Sequence, residues 1–168
     1  VHKNSINFFL LGTTLPHDIL NNSTKLVHAN CISINGRGVL ILGPSGSGKS
    51  SLSLKLIGLG GQLVADDKTI LKRKKKSVLA SCPTAIRGQI EARGMGILQM
   101  PTIAVVKLLL AVDLGTQTDE RLPTHENYSI FGINLRRIYR SRLDAFPEAI
   151  YYRVINNDLY KPWHHQTS

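Results

Sequence analysis

Cysteine is scarce in this sequence: Cys31 and Cys82 are the only two in 168 residues. So sparse a pair makes neither a disulfide framework nor a metal-ligand cluster. Both read as small buried apolar side chains of a protein kept in a reducing, cytoplasmic compartment. Aromatic residues are also few, 6% of the chain, too few to suggest a base-stacking platform. Acidic residues are in deficit, 11 against 21 Lys and Arg, for a formal net charge of +10. Much of the excess lies in LKRKKKS (71–77) and LRRIYRSR (135–142). The first reads as a solvated basic turn and the second as an element face or a surface for an acidic partner, so no specific nucleic acid is expected from charge alone. Long apolar runs are missing as well. FFLLGTTL is broken by Gly12 and IAVVKLLLAVDL carries Lys107, so no membrane association is expected. The opening VHKNSIN has one Lys before a short apolar patch and no convincing small-residue cleavage site.

What remains is enough for one domain with a sizeable core: 42% apolar residues and a mean hydropathy near zero. Residues 1–23, rich in Asn, Ser and Thr, read as an N-terminal arm, 24–155 as the folded domain and 156–168 as a tail. LVHANCISI and VLILG, separated by NGRG, predict a strand hairpin. KSSLSLKLIGLG predicts a helix through Leu52, Leu54, Leu56 and Ile57, ending at Gly58, Gly60 and Gly61. QLVADD predicts another buried strand, and TILKRKKKSVLAS a hairpin around the lysine run. IRGQIEARGMGILQM suggests a short helix with a glycine-rich turn, TIAVVKLLLAVDL one or two strands, and AFPEAIYYRVINNDLYK a closing helix. The fold class is α/β, with a mixed β-sheet flanked by helices around a P-loop kinase-like core.

The stretch that carries chemistry is Gly43-Pro44-Ser45-Gly46-Ser47-Gly48-Lys49-Ser50, followed by Ser51, set between a predicted strand and a predicted helix. That context lifts G-x-x-x-x-G-K-S above a chance match. Its glycines let backbone N–H groups converge on phosphate oxygens, and the helix start adds its own unpaired donors. Lys49 brings a positive charge to the outer phosphates, and the Ser50 hydroxyl suits a magnesium ion. If the strand before the loop and the strand QLVA run the same way, Asp66 and Asp67 emerge at the same sheet edge as the phosphates. Neighbouring strand residues point to opposite sides, so one carboxylate can face the γ-phosphate while the other holds a neighbour. Their arrival 17 and 18 residues after Lys49 suggests kinase-like use, with a carboxylate accepting a hydroxyl proton.

LVHANCI, GVLILGPSGSGKSSLSLKLI, QLVADD and IEARGMGI together resemble the catalytic domain of the bacterial HPr kinase/phosphorylase family. EARGMGI is similar to the family signature E-V/I-R-G-L-G-I, departing at Ala92 and Met95. The chain looks like a short proteobacterial form without the N-terminal domain of longer members, with GPSGSGKS in place of a loop that has Asp at the Pro44 position. The resemblance implies an ATP- and magnesium-dependent kinase that phosphorylates a serine of the phosphocarrier HPr, in a homo-oligomer. It assigns Lys49 to the phosphates, Ser50 and Glu91 to magnesium, and Asp67 to proton transfer. His28 matches the histidine that precedes the loop, with Asp66 the partner of His28 or of Lys49. Arg121 would approach the transferring group, and Arg93 and Gly94 belong to the signature. The reverse, phosphorylase activity stays open, because RRIYRSRLDAFPEAI lacks the Arg-Pro-Gly-Arg pattern of longer members.

Without the resemblance, His28 would read as a buried strand histidine, Glu91 as a helix-surface residue and Arg121 as a loop arginine. Two other functions fit the residues. One is a small-molecule kinase or NTPase on the same core. The other is a non-catalytic nucleotide sensor, which would have no need of a proton acceptor such as Asp67.

Overall fold

The structure, a computed structural model, describes residues 23–121 and 126–157. The expected N-terminal arm, most of the tail and its paired histidines lie outside these residues.

The chain enters on β1 (Thr24–His28) and continues after Ala29 as β2 (Asn30–Ile34). The sequence reads as one strand here, but β1 pairs with β5 (Lys68–Lys74), while β2 pairs with β3 (Arg37–Leu42) and β4 (Gln62–Ala65). Ala29 is the corner: its N–H donates to the Val27 carbonyl at 3.1 Å and its carbonyl accepts from Thr69 Oγ1 at 2.7 Å. The β2–β3 hairpin closes through Asn35 and Gly36, both with positive φ, the Asn-Gly chemistry favoured in two-residue hairpin turns. The basic run forms the tip of a second hairpin, β5 with β6 (Ser77–Ser81).

After a 3-10 turn (Thr84–Ile86), Gln89–Ala92 (β7) and Gly96–Gln99 (β8) form a separate two-stranded sheet. The expected short helix is therefore a hairpin, and Glu91 sits on a strand. β9 (Val105–Thr118) is one long strand and the axis of the main sheet. It lies antiparallel to β6 near its start and parallel to β3 through Leu42↔Asp113. Its second half is parallel to β11 (Ile133–Ser141), whose hairpin partner is β10 (Glu126–Ile130). Lys107 does not interrupt β9 because it alternates outward between the buried Val106 and Leu108.

α1 (Lys49–Gly58) buries Lys49, Leu52, Ser53 and Leu56, the i, i+3, i+4, i+7 stripe of a helix lying on a sheet. α2 (Phe146–Ile155) buries Pro147, Ile150 and Val154. Both helices pack with Ile32, Ile34, Val39 and Ile41 in one core; Cys31, Leu40, Val64 and Ala80 belong to a second core on the opposite sheet face. Fully burying a side chain such as Leu56 contributes about 1.5–3 kcal/mol. Arg37 fixes the end of α2 by donating to the Val154 and Ile155 carbonyls at 2.6 and 3.0 Å. No helix among the described residues is long and apolar enough to cross a membrane.

β3, β9 and β11 run parallel. β4 shares their direction because β2 lies antiparallel to both β3 and β4. The P-loop, Asp66–Asp67, residues 119–121 and Arg140 therefore gather at one sheet edge, where open α/β sheets place their ligands.

Candidate active site

Three glycines of the P-loop, Gly43, Gly46 and Gly48, have positive φ. The loop delivers the chain into α1, which has no side-chain cap and no acidic residue in its first turn. Its first N–H groups and its dipole are thus available to an anion. Lys49 is buried and its Nζ has three partners: the Gly43 and Pro44 carbonyls at 3.0 and 3.2 Å and His28 Nε2 at 3.0 Å. An ammonium has only donors, so Nε2 is the accepting nitrogen and Nδ1 carries the ring proton. That proton faces Asp67 Oδ1 at 3.0 Å. The imidazole thus joins the P-loop lysine to a carboxylate. Neither ring nor carboxylate is buried; the His28 and Asp67 side chains are 50% and 55% exposed.

The two carboxylates have separate tasks. The sequence suggested Asp66 as partner of His28 or Lys49, but the partner of His28 is Asp67. Asp66 turns inward: its Oδ1 accepts from Ser50 Oγ at 2.9 Å and Asn30 Nδ2 at 2.6 Å, and its Oδ2 accepts the Glu91 N–H at 3.0 Å. The separation follows from the backbone, since Asp67, two residues beyond the end of β4, adopts a left-handed φ of 62°. Burial, opposed by Arg87 and aided by the Asp66 charge, pushes the Cys82 thiol pKa up, and burial alone pushes that of Cys31 up further. Both cysteines are free.

Ser50 Oγ and the Asp66 carboxylate are in contact, and Glu91 joins them through its backbone N–H and lines the same cleft as Asp66; oxygen donors of this kind are those magnesium takes. Asp66, Asp67, Lys68, Gln89 and Glu91 also line a cleft of about 460 Å³, with Ile86 and Ile97 as apolar walls. Arg93 and Gly94 form the exposed turn of the β7–β8 hairpin above it. Arg121 follows β9 at the same edge and is exposed, and no hydrogen bond or ion pair joins it to the described residues of the cluster.

Two residues were not singled out from sequence. Asn30 is fully buried and touches both carboxylate residues; a lone Asn opening an apolar strand is its only sequence signal. Arg140 lay within the basic run at 135–142, and its guanidinium donates to the Ser47 carbonyl of the P-loop. The neighbouring Arg137 instead pairs with Glu126 at 2.6 Å. Tyr139 also donates to Glu126, and these two hydrogen bonds, the tyrosine's first, hold the Glu126 carboxyl below the usual range.

Residues 20–136 match the family model described as HPr Serine kinase C-terminal domain. The chain belongs to this family. It is 37% identical over 138 residues to the HPr kinase/phosphorylase of Caldicellulosiruptor bescii, covering 74% of this chain and 44% of that protein. It is 36% identical over 149 residues to that of Alkaliphilus metalliredigens, covering 85% and 48%. The chain thus spans less than half the length of these curated relatives. The structure of the Hpr(Ser) kinase/phosphatase from Coxiella burnetii superposes with a TM-score of 0.68 at 32% identity, covering 80% of this chain and 97% of that one. The mixed α/β sheet expected from sequence is the fold of the family.

Proposed function

We propose that this chain is a protein-serine kinase that transfers the γ-phosphoryl group of ATP to a serine hydroxyl of the phosphocarrier HPr. The observation that carries this reading is the Lys49–His28–Asp67 chain, which sets a carboxylate at the boundary between the P-loop and an open cleft. The names of the relatives supply HPr as the acceptor.

In this reading the P-loop amides and Lys49 hold the phosphates, and Asp67 accepts the serine proton. The serine oxygen bonds to the γ-phosphorus as the bridging β–γ P–O bond breaks, and ADP leaves. Phosphoryl transfer asks a protein chiefly for positioning and charge neutralisation. Ser50 and Asp66, with Glu91 beside them, would hold magnesium, which when bound neutralises phosphate charge. His28 orients Asp67 and links it to Lys49. Arg121 and Arg140, at the same sheet edge, are placed to add positive charge beside the loop, and Arg93 and Gly94 shape the cleft rim. Residues 24–155 form the working unit, in a cytoplasmic homo-oligomer. The cleft is the acceptor side, with Ile86 and Ile97 beside the incoming serine.

The test is transfer of labelled γ-phosphate from ATP to purified HPr, with and without magnesium, beside HPr whose acceptor serine is alanine. Label on wild-type HPr alone, dependent on magnesium, is the expected result. The cleft volume also suits a small molecule; magnesium-dependent ATP turnover without labelled HPr would favour that second reading.

A further inference from the structure

Asn30 has no surface exposure, and its side-chain amide makes its hydrogen bonds within this site. Its Oδ1 accepts the Asp67 N–H at 2.9 Å. Its Nδ2 donates to Asp66 Oδ1 at 2.6 Å and to Ser53 Oγ at 3.0 Å. A backbone N–H can only donate, so the orientation of the amide is set, with the nitrogen toward Asp66. Ser53 completes the assignment by donating to the Lys49 carbonyl at 2.9 Å. One amide therefore ties together the first turn of α1, the carboxylate of Asp66 and the backbone of Asp67.

The tie acts where the chain is under strain. Asp67 stands at φ 62°, a conformation that costs a non-glycine residue about 1–3 kcal/mol unless the surroundings hold it there. That conformation sends the Asp67 side chain toward His28, away from Asp66. A buried amide bonded to the Asp67 N–H is a restraint that favours it. The other end of the same amide neutralises no charge, yet it meets Asp66 on the oxygen that Ser50 also uses. An apolar residue at position 30 would fill the volume but leave the Asp67 N–H and one Asp66 lone pair unmet.

We infer that Asn30 is a positioning residue of the transfer reaction: its amide sets the division of labour between Asp66, facing Ser50, and Asp67, facing His28. The inference rests on the kinase reading above for its catalytic consequence, while the restraint on Asp67 stands on geometry alone. Asn30 touches no P-loop backbone atom that would contact phosphate, and its contact with the loop's last residue, Nδ2 to Ser50 Oγ, is long at 3.5 Å, so nucleotide affinity and transfer respond differently to its loss.

The experiment compares wild type, Asn30→Val and Asn30→Asp in the intact chain. It reads kcat for labelled transfer to HPr, the affinity for ATP, and hydrogen exchange of the Asp67 amide by NMR. Asn30→Val is expected to lower kcat about ten- to hundredfold, the scale of a displacement of about 1 Å. ATP affinity should stay within about threefold, and exchange at the Asp67 amide should accelerate at least tenfold while α1 amides stay protected. Asn30→Asp keeps an acceptor for the Asp67 N–H but turns an oxygen toward Asp66. It should preserve Asp67 protection and still lower kcat about tenfold. Unchanged Asp67 exchange in Asn30→Val, kcat within twofold of wild type in either variant, or a parallel loss of ATP affinity would overturn the inference. Should Asn30→Val not fold, Asn30→Asp, of nearly the same volume, decides it on kcat and exchange. If wild type itself fails to label HPr, the kinase reading is what has failed; Asp67 exchange then decides the restraint independently.

Discussion

On the P-loop side of Asp67, Lys49, Ser53 and Asn30 are buried, and their side chains are hydrogen-bonded to the loop, to α1 and to the carboxylate of Asp66. On the cleft side, the β7–β8 hairpin is a two-stranded sheet apart from the main one, with Met95 and Ile97 78% and 65% exposed at its end. Only its inward residues, Ile90 and Ala92, are buried, and the Glu91 N–H on Asp66 links it to the carboxylates. The contrast follows from what each side would bind. A phosphate chain is small, invariant and charged, and rewards fixed donors. A protein acceptor arrives with its own surface, and an exposed apolar rim can meet it without prior order.

That contrast can be broken from either side. The largest effect is expected for Asp67→Asn, which keeps size and backbone but removes the proton acceptor. Transfer should fall by about 10²–10⁴ while ATP affinity stays within about twofold, read by labelled transfer and calorimetry. Undiminished transfer would remove Asp67 from proton transfer.

Next come two glycines whose surroundings differ as the two sides do. A Cβ on Gly43 would lie 2.5 Å from Ser47 Oγ and 3.2 Å from Leu114 Cβ. Overpacking of this kind costs about 1–3 kcal/mol, so Gly43→Ala should weaken ATP binding by roughly five- to 150-fold. Gly94 also has positive φ, but nothing lies within 4 Å of its would-be Cβ. Gly94→Ala should leave ATP affinity within about twofold and show only a small fall in thermal stability. Equal losses of ATP affinity in the two variants would erase the distinction.

The smallest effect is expected at the rim. Ile97→Ser removes exposed apolar surface beside the cleft and should raise KM for HPr about three- to tenfold, the value of partial burial of one aliphatic side chain. kcat and ATP affinity should not move. An unchanged KM would place the acceptor elsewhere on the domain.

The side with fixed spacing was also the side legible in sequence. Seven consecutive residues from Pro44 to Ser50, a strand before and a helix after, leave little freedom, and the helix stripe through Leu52 and Leu56 is where it was expected. The common edge shared by the P-loop and the aspartates was legible from strand direction alone, although β2 intervenes between the two strands. What escaped was long-range pairing. The break at Ala29 depends on β5, forty residues later, claiming β1. The Glu91 segment read as part helix because its apolar residues are few and its glycines many; a tight hairpin uses the same residues. The roles of Asp66 and Asp67 depend on the sign of one φ angle, which no residue pattern displays. Asn30 and Arg140 find their partners 36 and 93 residues away, on Asp66 and Ser47.

β9 has a bearing on how this domain is made. The strand that carries the P-loop gains one neighbour at once, from β2, but its other edge is completed only by residues 107–113. At roughly 5–20 residues per second, a ribosome needs several seconds to supply the intervening segment. Until then one edge of β3 stays open, with apolar Val39 and Ile41 on one face and Leu40 on the other. Pairings of such sequence separation are slow steps even in the released chain. During synthesis, the nucleotide-binding element is therefore written early and completed late.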